Sequence, residues 1–171
     1  MSNKKVLNIV LIVIGVAMIL PLFVGFINLV SEAAGESQTW TASLFGKFEG
    51  EATVKDVLDS VDKGSANIWF VLTKIATIVG IIAAIAIAVF AALKLANVKA
   101  DLAKIEKIVA LVAMIAGAVI LVAMIIFFIA STKSVSMMGV TVKQFFSGAW
   151  GWYVAFIGAF ASGFISKYAA K

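Results

Sequence analysis

Cysteine, histidine and arginine are all missing from the 171 residues, and proline occurs once, at Pro21. Without cysteine there is no disulfide framework, no thiolate nucleophile and no cysteine-held metal or iron–sulfur centre. Without histidine the chain lacks both the commonest metal ligand and the usual acid–base residue near neutral pH. All 14 basic residues are lysine. A bidentate arginine clamp on phosphate or guanine is therefore excluded, and the pI near 9.5 is not a nucleic-acid signal. Charge is scarce as well, at 13% of residues, where soluble domains carry about 25%. What fills the chain instead is apolar: 63% of residues are hydrophobic, the mean hydropathy is +1.12, and the apolar residues come in long uncharged runs. That pattern describes an integral membrane protein.

A hydrocarbon core about 30 Å thick needs about 20 apolar residues of helix. Four runs meet this length: residues 6–30, 66–93, 108–130 and 144–166. The expected fold is thus an all-α integral membrane protein, one four-transmembrane-helix bundle over residues 1–171. Its outer loops cover 32–65 and 131–143, its inner loop 94–107, and its small extracellular region holds a strand plus a helix. The first run exceeds the roughly 7–15 residues of a signal-peptide core, so it reads as a retained span, bent at Pro21.

Lysines orient the bundle. One side holds Lys4, Lys5, Lys94, Lys99, Lys104, Lys107, Lys167 and Lys171 against Asp101 and Glu106. The other holds Lys47, Lys55, Lys63, Lys133 and Lys143 against Glu32, Glu36, Glu49, Glu51, Asp56, Asp59 and Asp62. The lysine excess places both termini in the cytoplasm of a cell-membrane protein, and the inner connector reads as a solvated turn whose lysines face anionic lipid. Lys74 is the one charge inside a run, two turns in from Ala66, where a long stem snorkels or an intramembrane charge serves function.

Helices in lipid gain nothing hydrophobic by pairing, so small residues that let backbones approach supply much of the attraction. The second run carries Ala76, Gly80, Ala84, Ala88, Ala92 and Ala96 at four-residue spacing, and the fourth carries Ser147, Gly151, Ala155, Ala159 and Gly163. Each row is expected to form a helix-packing face.

The first outer loop, about 34 residues, is too short for a core of its own. Residues 39–45 alternate polar and apolar, placing Trp40, Ala42 and Leu44 on one strand face, with Gly46 closing it. Thr53 through Asp56 reads as a capping box, and Val54, Val57, Leu58 and Val61 follow at helical spacing up to Gly64. Trp40, Leu44, Phe45 and Phe48 are the apolar residues expected to meet a partner. Asp56, Asp59 and Asp62 form a solvated acidic face without EF-hand spacing. In the second loop, Ser134–Met137 and Val140–Val142 flank Gly139 as strand or hairpin candidates. Trp69, Trp150, Trp152 and Tyr153 read as interface anchors, and Asn28 sits where it can bond to the second helix or the loop.

Four spans, cytoplasmic ends, a long first outer loop of strand then helix and a short second loop together resemble the claudin and peripheral myelin protein tetraspan superfamily. Ser43-Leu44-Phe45-Gly46 is similar to that family's Gly-Leu-Trp element, while the two cysteines that follow it there are absent here. The resemblance implies assembly through the outer loops and no enzymatic activity.

Chemistry at the inner side would rest on Asp101 and Glu106 beside lysines, without paired spacing, so no catalytic residue, cofactor site or metal site is expected. The expected function is a non-enzymatic membrane structural or assembly protein. Its partners would be the lipid bilayer, further copies of itself or other membrane subunits, and no nucleic acid. The alternative is a subunit of an oligomeric channel or transporter in which Lys74 or the acidic loop sets ion preference.

Overall fold

Pro21 does not bend the first apolar run; it ends it. In the computed structural model, which describes residues 3–48, 52–98, 102–137 and 139–169, helix α1 spans Asn3–Ala17. A 3₁₀ turn at Leu20–Leu22 then places Pro21 at its start, where the missing N–H costs nothing. Beyond it the backbone becomes extended: β1 is Ile27–Ala33, so residues 27–30 of the expected 6–30 span are strand. Their β-branched and apolar side chains suit either geometry, and a partner strand on each side decides for the sheet. The fourth run is corrected in the same way, since its first residues belong to β4, Val140–Gly148, and helix α5 is Trp150–Ala169. Glu49, Glu51, Lys99, Asp101 and Lys171 lie outside the described residues.

Between these come β2 at Glu36–Ala42, α2 at Val54–Ser60, α3 at Asn67–Leu95, α4 at Ala103–Ser131 and β3 at Lys133–Met137. The inner loop is thus shorter than 94–107, because both flanking helices extend into it. The strands form one antiparallel sheet in the order β2-β1-β4-β3, so the expected all-α class becomes mostly helical with a small sheet. The β1–β2 turn is Ala34-Gly35, with φ of 51° and 86°, the mirror-image turn that matches strand twist. Among the described residues, three helical segments are long and apolar enough to cross a membrane by length and composition: Asn3–Leu22, Gly64–Leu95 and Ala103–Ser131. Helix α5 has 20 residues, but tryptophan, tyrosine, serine and glycine dilute its hydropathy.

The buried faces follow a three-then-four rhythm in all four long helices. It runs Asn8, Leu11, Gly15 in α1 and on to Met18; Phe70, Thr73, Thr77, Gly80, Ala84, Ile87, Ala91 in α3; Ala110, Ala113, Gly117, Ile120, Met124, Phe127 in α4; and Trp152, Ala155, Ala159, Ser162, Ser166 in α5. A period of 3.5 is the seam of left-handed helix packing, and α3 packs against α1, α4 and α5.

The four-residue rows behave differently. Each step of four turns about 40° past a full revolution at 3.6 residues per turn, so a row drifts around its helix. Gly80 faces Ala159 and Ala116, Ala88 lies against Gly15 of α1, and Ala92 and Ala96 point outward. Ala92 is therefore not a packing residue of this bundle. In α5, Gly151 meets Gly25 and Val24, Ala159 meets Gly80, and Gly163 meets Ala110 and Met114. Ser147, the expected first member of that row, is a strand residue opposite Asn28.

Aromatic rings join sheet to bundle. Phe127 of α4 lies 5.5 Å from Phe70 of α3 and 5.0 Å from Phe146 of β4, ring centre to ring centre. Trp152 stands edge-on to Phe128 at 5.4 Å and packs against Phe156. Trp152 is thus a buried core residue and not an interface anchor, whereas Trp150 is 80% exposed.

Candidate functional site

Two regions carry polar groups in fixed arrangements: the sheet at one end of the bundle and a buried ion pair at the other. The sheet is positioned by its continuity with the helices. β1 follows α1 and β4 runs into α5, and the two connections are bonded to each other, Ala149 N–H donating to Phe26 O at 3.2 Å and Gly151 N–H to Gly25 O at 2.9 Å. On the inner face, Ala42, Ile27 and Gly148 form one cross-strand row and Trp40, Leu29 and Phe146 the next. Burial fades along the second row, from Phe146 over Phe127 to Trp40 at the β2 edge, which is 43% exposed. The other face carries Val30 and Phe145 between two polar rows: Asn28, Thr41 and Ser147 lie abreast, and Thr41 Oγ1 donates to Asn28 Oδ1 at 2.8 Å. Asn28 therefore bonds to the loop. Glu32 stands directly opposite Lys143. β2 and β3 are the two edges of the sheet.

The expected outer-loop interaction residues separate. Trp40 and Phe45 are exposed, while Leu44 and Phe48 are buried in the core that contains Val54, Leu58 and Phe70. They anchor the loop to the bundle and cannot meet a partner. A tight turn achieves this: Gly46 N–H donates to Ser43 O at 2.9 Å, and Gly46 has φ of 80° with the Phe70 ring 2.9 Å from where a Cβ would sit. The alternation at 39–45 concealed that turn, because strand geometry stops at Ala42.

Helix α2 is started by a complete capping box. Thr53 donates to Asp56 Oδ2 through its hydroxyl at 2.7 Å and its backbone N–H at 2.8 Å, and Asp56 N–H donates back to Thr53 Oγ1 at 3.2 Å. The hydroxyl bond first and the backbone bond second hold the Asp56 carboxyl below its ordinary value of 3.8. A depressed pKa stabilises above the unfolded value, and that contribution is lost as pH falls through the folded one. Thr53→Ala should fray α2 by about 1 kcal/mol, seen as faster amide exchange at Val57 and Leu58 with α3 unchanged. Acidification below the carboxylate range should do the same in the wild type and add little in the variant. Lys133 joins β3 to the far end of α2, donating from Nζ to Val61 O at 2.8 Å, with Asp62 at 3.8 Å.

Lys74 sits half-buried in α3, its Nζ 5.3 Å from the centre of the Phe70 ring. That is cation–π range, and it holds the ammonium toward the sheet end.

At the opposite end, α4 begins earlier than the charge boundary suggested and carries Glu106 inside the bundle. Its side chain is 4% exposed, and Lys94 Nζ of α3 donates to both carboxylate oxygens at 2.6 and 2.7 Å. Ser166 Oγ of α5 donates to Oε1 at 3.1 Å. Three helices thus meet at one carboxylate. Glu106 and Ser166 continue the three-four seams of α4 and α5, which is the signal that could have revealed the pair; a reading by charge boundaries put Glu106 in solvent instead. Comparison with protein-family models and with curated protein sequences returned no match.

Proposed function

We propose that this chain is a non-enzymatic membrane assembly protein that crosses the bilayer four times, with both termini on the lysine-rich cytoplasmic side, and associates laterally through its outer sheet. The observation that carries this reading is the sheet itself, a four-stranded ribbon at the end of an apolar bundle with edges at β2 and β3. Edge strands present unpaired N–H and C=O groups to a neighbour. Gly80, Ala84 and Ala88 of the α3 row and Gly151, Ala159 and Gly163 of the α5 row are already occupied within the chain, so association falls to the sheet rather than to these helix faces. Support for α5 as a fourth span comes from its course beside α4, from Trp152 against Phe128 at the sheet end to Ser166 against Glu106 at the other. Twenty helical residues measure about 30 Å, the thickness α4 itself must cross. Kinship with the claudin superfamily remains part of this proposal, on Leu44, Phe45 and Gly46.

Because the chain has no cysteine, single substitutions give an unambiguous test. In native membranes, mild oxidation of chains carrying Ser37→Cys in β2 or Ser134→Cys in β3 should yield discrete cross-linked species, whereas Val13→Cys on the outward face of α1 should not. A chain that stays monomeric at both sheet positions overturns the assembly reading. A maleimide that cannot cross the membrane should label Ser37→Cys directly and Lys104→Cys only after permeabilisation.

A further inference from the structure

The lysine-rich end holds a cavity of about 430 Å³ between α4 and α5, walled by Ala110, Leu111 and Met114. Its floor is the Glu106–Ser166 contact already described, and its rim carries Lys107 from α4 and Lys167 from α5. Among the described residues neither rim lysine has an ion-pair partner, although Glu106 is close by. Lys94 has already engaged that carboxylate at both oxygens. With three lysines around one glutamate, the cavity keeps an excess of two positive charges, both at its mouth. The walls are apolar and Leu111 is largely exposed, so the slot opens sideways toward the hydrocarbon while its charges stay at helix ends.

We propose that this slot binds one anionic phospholipid, its phosphate held between Lys107 and Lys167 and an acyl chain lying along Ala110, Leu111 and Met114. The chemistry selects that occupant: a soluble anion would leave the apolar wall uncovered, and a zwitterionic lipid would leave the two ammonium groups without a net countercharge. An anionic lipid satisfies both, and each lysine near such a headgroup contributes on the order of 1 kcal/mol. The geometry is set by the bundle, because Gly163 brings α5 against Ala110 and Met114 of the cavity wall and the Ser166–Glu106 hydrogen bond ties the two helices at its floor. The site presupposes α5 as a fourth span.

The test is native mass spectrometry of the full chain released from nanodiscs containing equal phosphatidylglycerol and phosphatidylcholine. The wild type should retain one phosphatidylglycerol in preference. Lys107→Gln with Lys167→Gln should reduce that preference about thirtyfold, the fold-change for about 2 kcal/mol at about 1.4 kcal/mol per decade. Lys4→Gln with Lys5→Gln, which removes equal charge from the same end of the bundle outside the cavity, should leave it intact. Equal loss in both pairs would reduce the effect to general surface charge and overturn the site, as would retention of phosphatidylcholine at equal strength. Labelling of Lys104→Cys from the outer side would instead overturn the placement of the helices, so the two failures are distinguishable.

Discussion

Gly163→Ala should destabilise the protein by about 3 kcal/mol or more, a large effect for one methyl group. A Cβ at Gly163 would fall against the Ala110 carbonyl oxygen and 2.9 Å from the Met114 nitrogen, both backbone atoms of α4. Backbone in the middle of a helix cannot step aside without moving the helix. The reciprocal contact lies further along the same pair, where a Cβ at Gly117 would sit 2.7 Å from Phe160 N and 3.0 Å from Phe156 O. Two glycines, one on each helix, therefore set how closely α4 and α5 approach, and adding a methyl at either forces the pair apart. Ala92→Leu is the informative control: it belongs to the four-residue row of α3 but faces outward, so it should change stability by no more than about 0.5 kcal/mol. Reversible unfolding in mixed micelles measures both. Wild-type stability for Gly163→Ala would mean that α5 does not lie against α4 as described.

The second large effect is asymmetric. Lys94→Met should cost about 3–5 kcal/mol, because it leaves the Glu106 carboxylate in the bundle with the Ser166 hydroxyl as its remaining partner. Glu106→Gln should cost about 1 kcal/mol, since the Lys94 side chain is 37% exposed and its ammonium can reach water along its own stem. The double variant Lys94→Met/Glu106→Met should lie near the wild type or above it, as replacing a buried pair by apolar groups removes the desolvation penalty together with the attraction. A double-mutant cycle in the same unfolding assay reads the coupling directly. Equal costs for the two single variants would show that Glu106 is hydrated, against its 4% exposure.

These variants also separate two ways of reading a membrane sequence. Distances between charges locate apolar runs well, and the three segments apolar enough to cross a membrane fall within or close to runs found that way. The same distances cannot tell helix from strand at a run's end. Residues 27–30 and 144–147 are uncharged, but each completes a ladder with the other, and hydrogen bonding to a partner more than a hundred positions away is invisible in a local window. Charge boundaries also placed Glu106 in the inner turn, when Lys94 had already neutralised it. Small residues at four-residue spacing marked close packing on α3 and α5 but misassigned its reach, because the rows wind around the helices while the seam keeps a period of 3.5.

Composition and pattern by themselves marked this chain as membrane-associated, closed thiol, imidazole and guanidinium chemistry to it, and located the two long central helices, while the ends of the first and fourth runs escaped them. Those are properties of the chain's affinity for lipid and of its local backbone preferences, and each residue contributes to them whatever its neighbours in space. Tertiary structure decided which loop residues are surface and which are core, so that Leu44 and Phe48 hold the loop down while Trp40 and Phe45 face out. It also decided that two hairpins make one sheet and that a lysine and a glutamate on different helices make one buried pair. Such outcomes depend on contacts between distant segments, whose free energy exists only once the helices have packed.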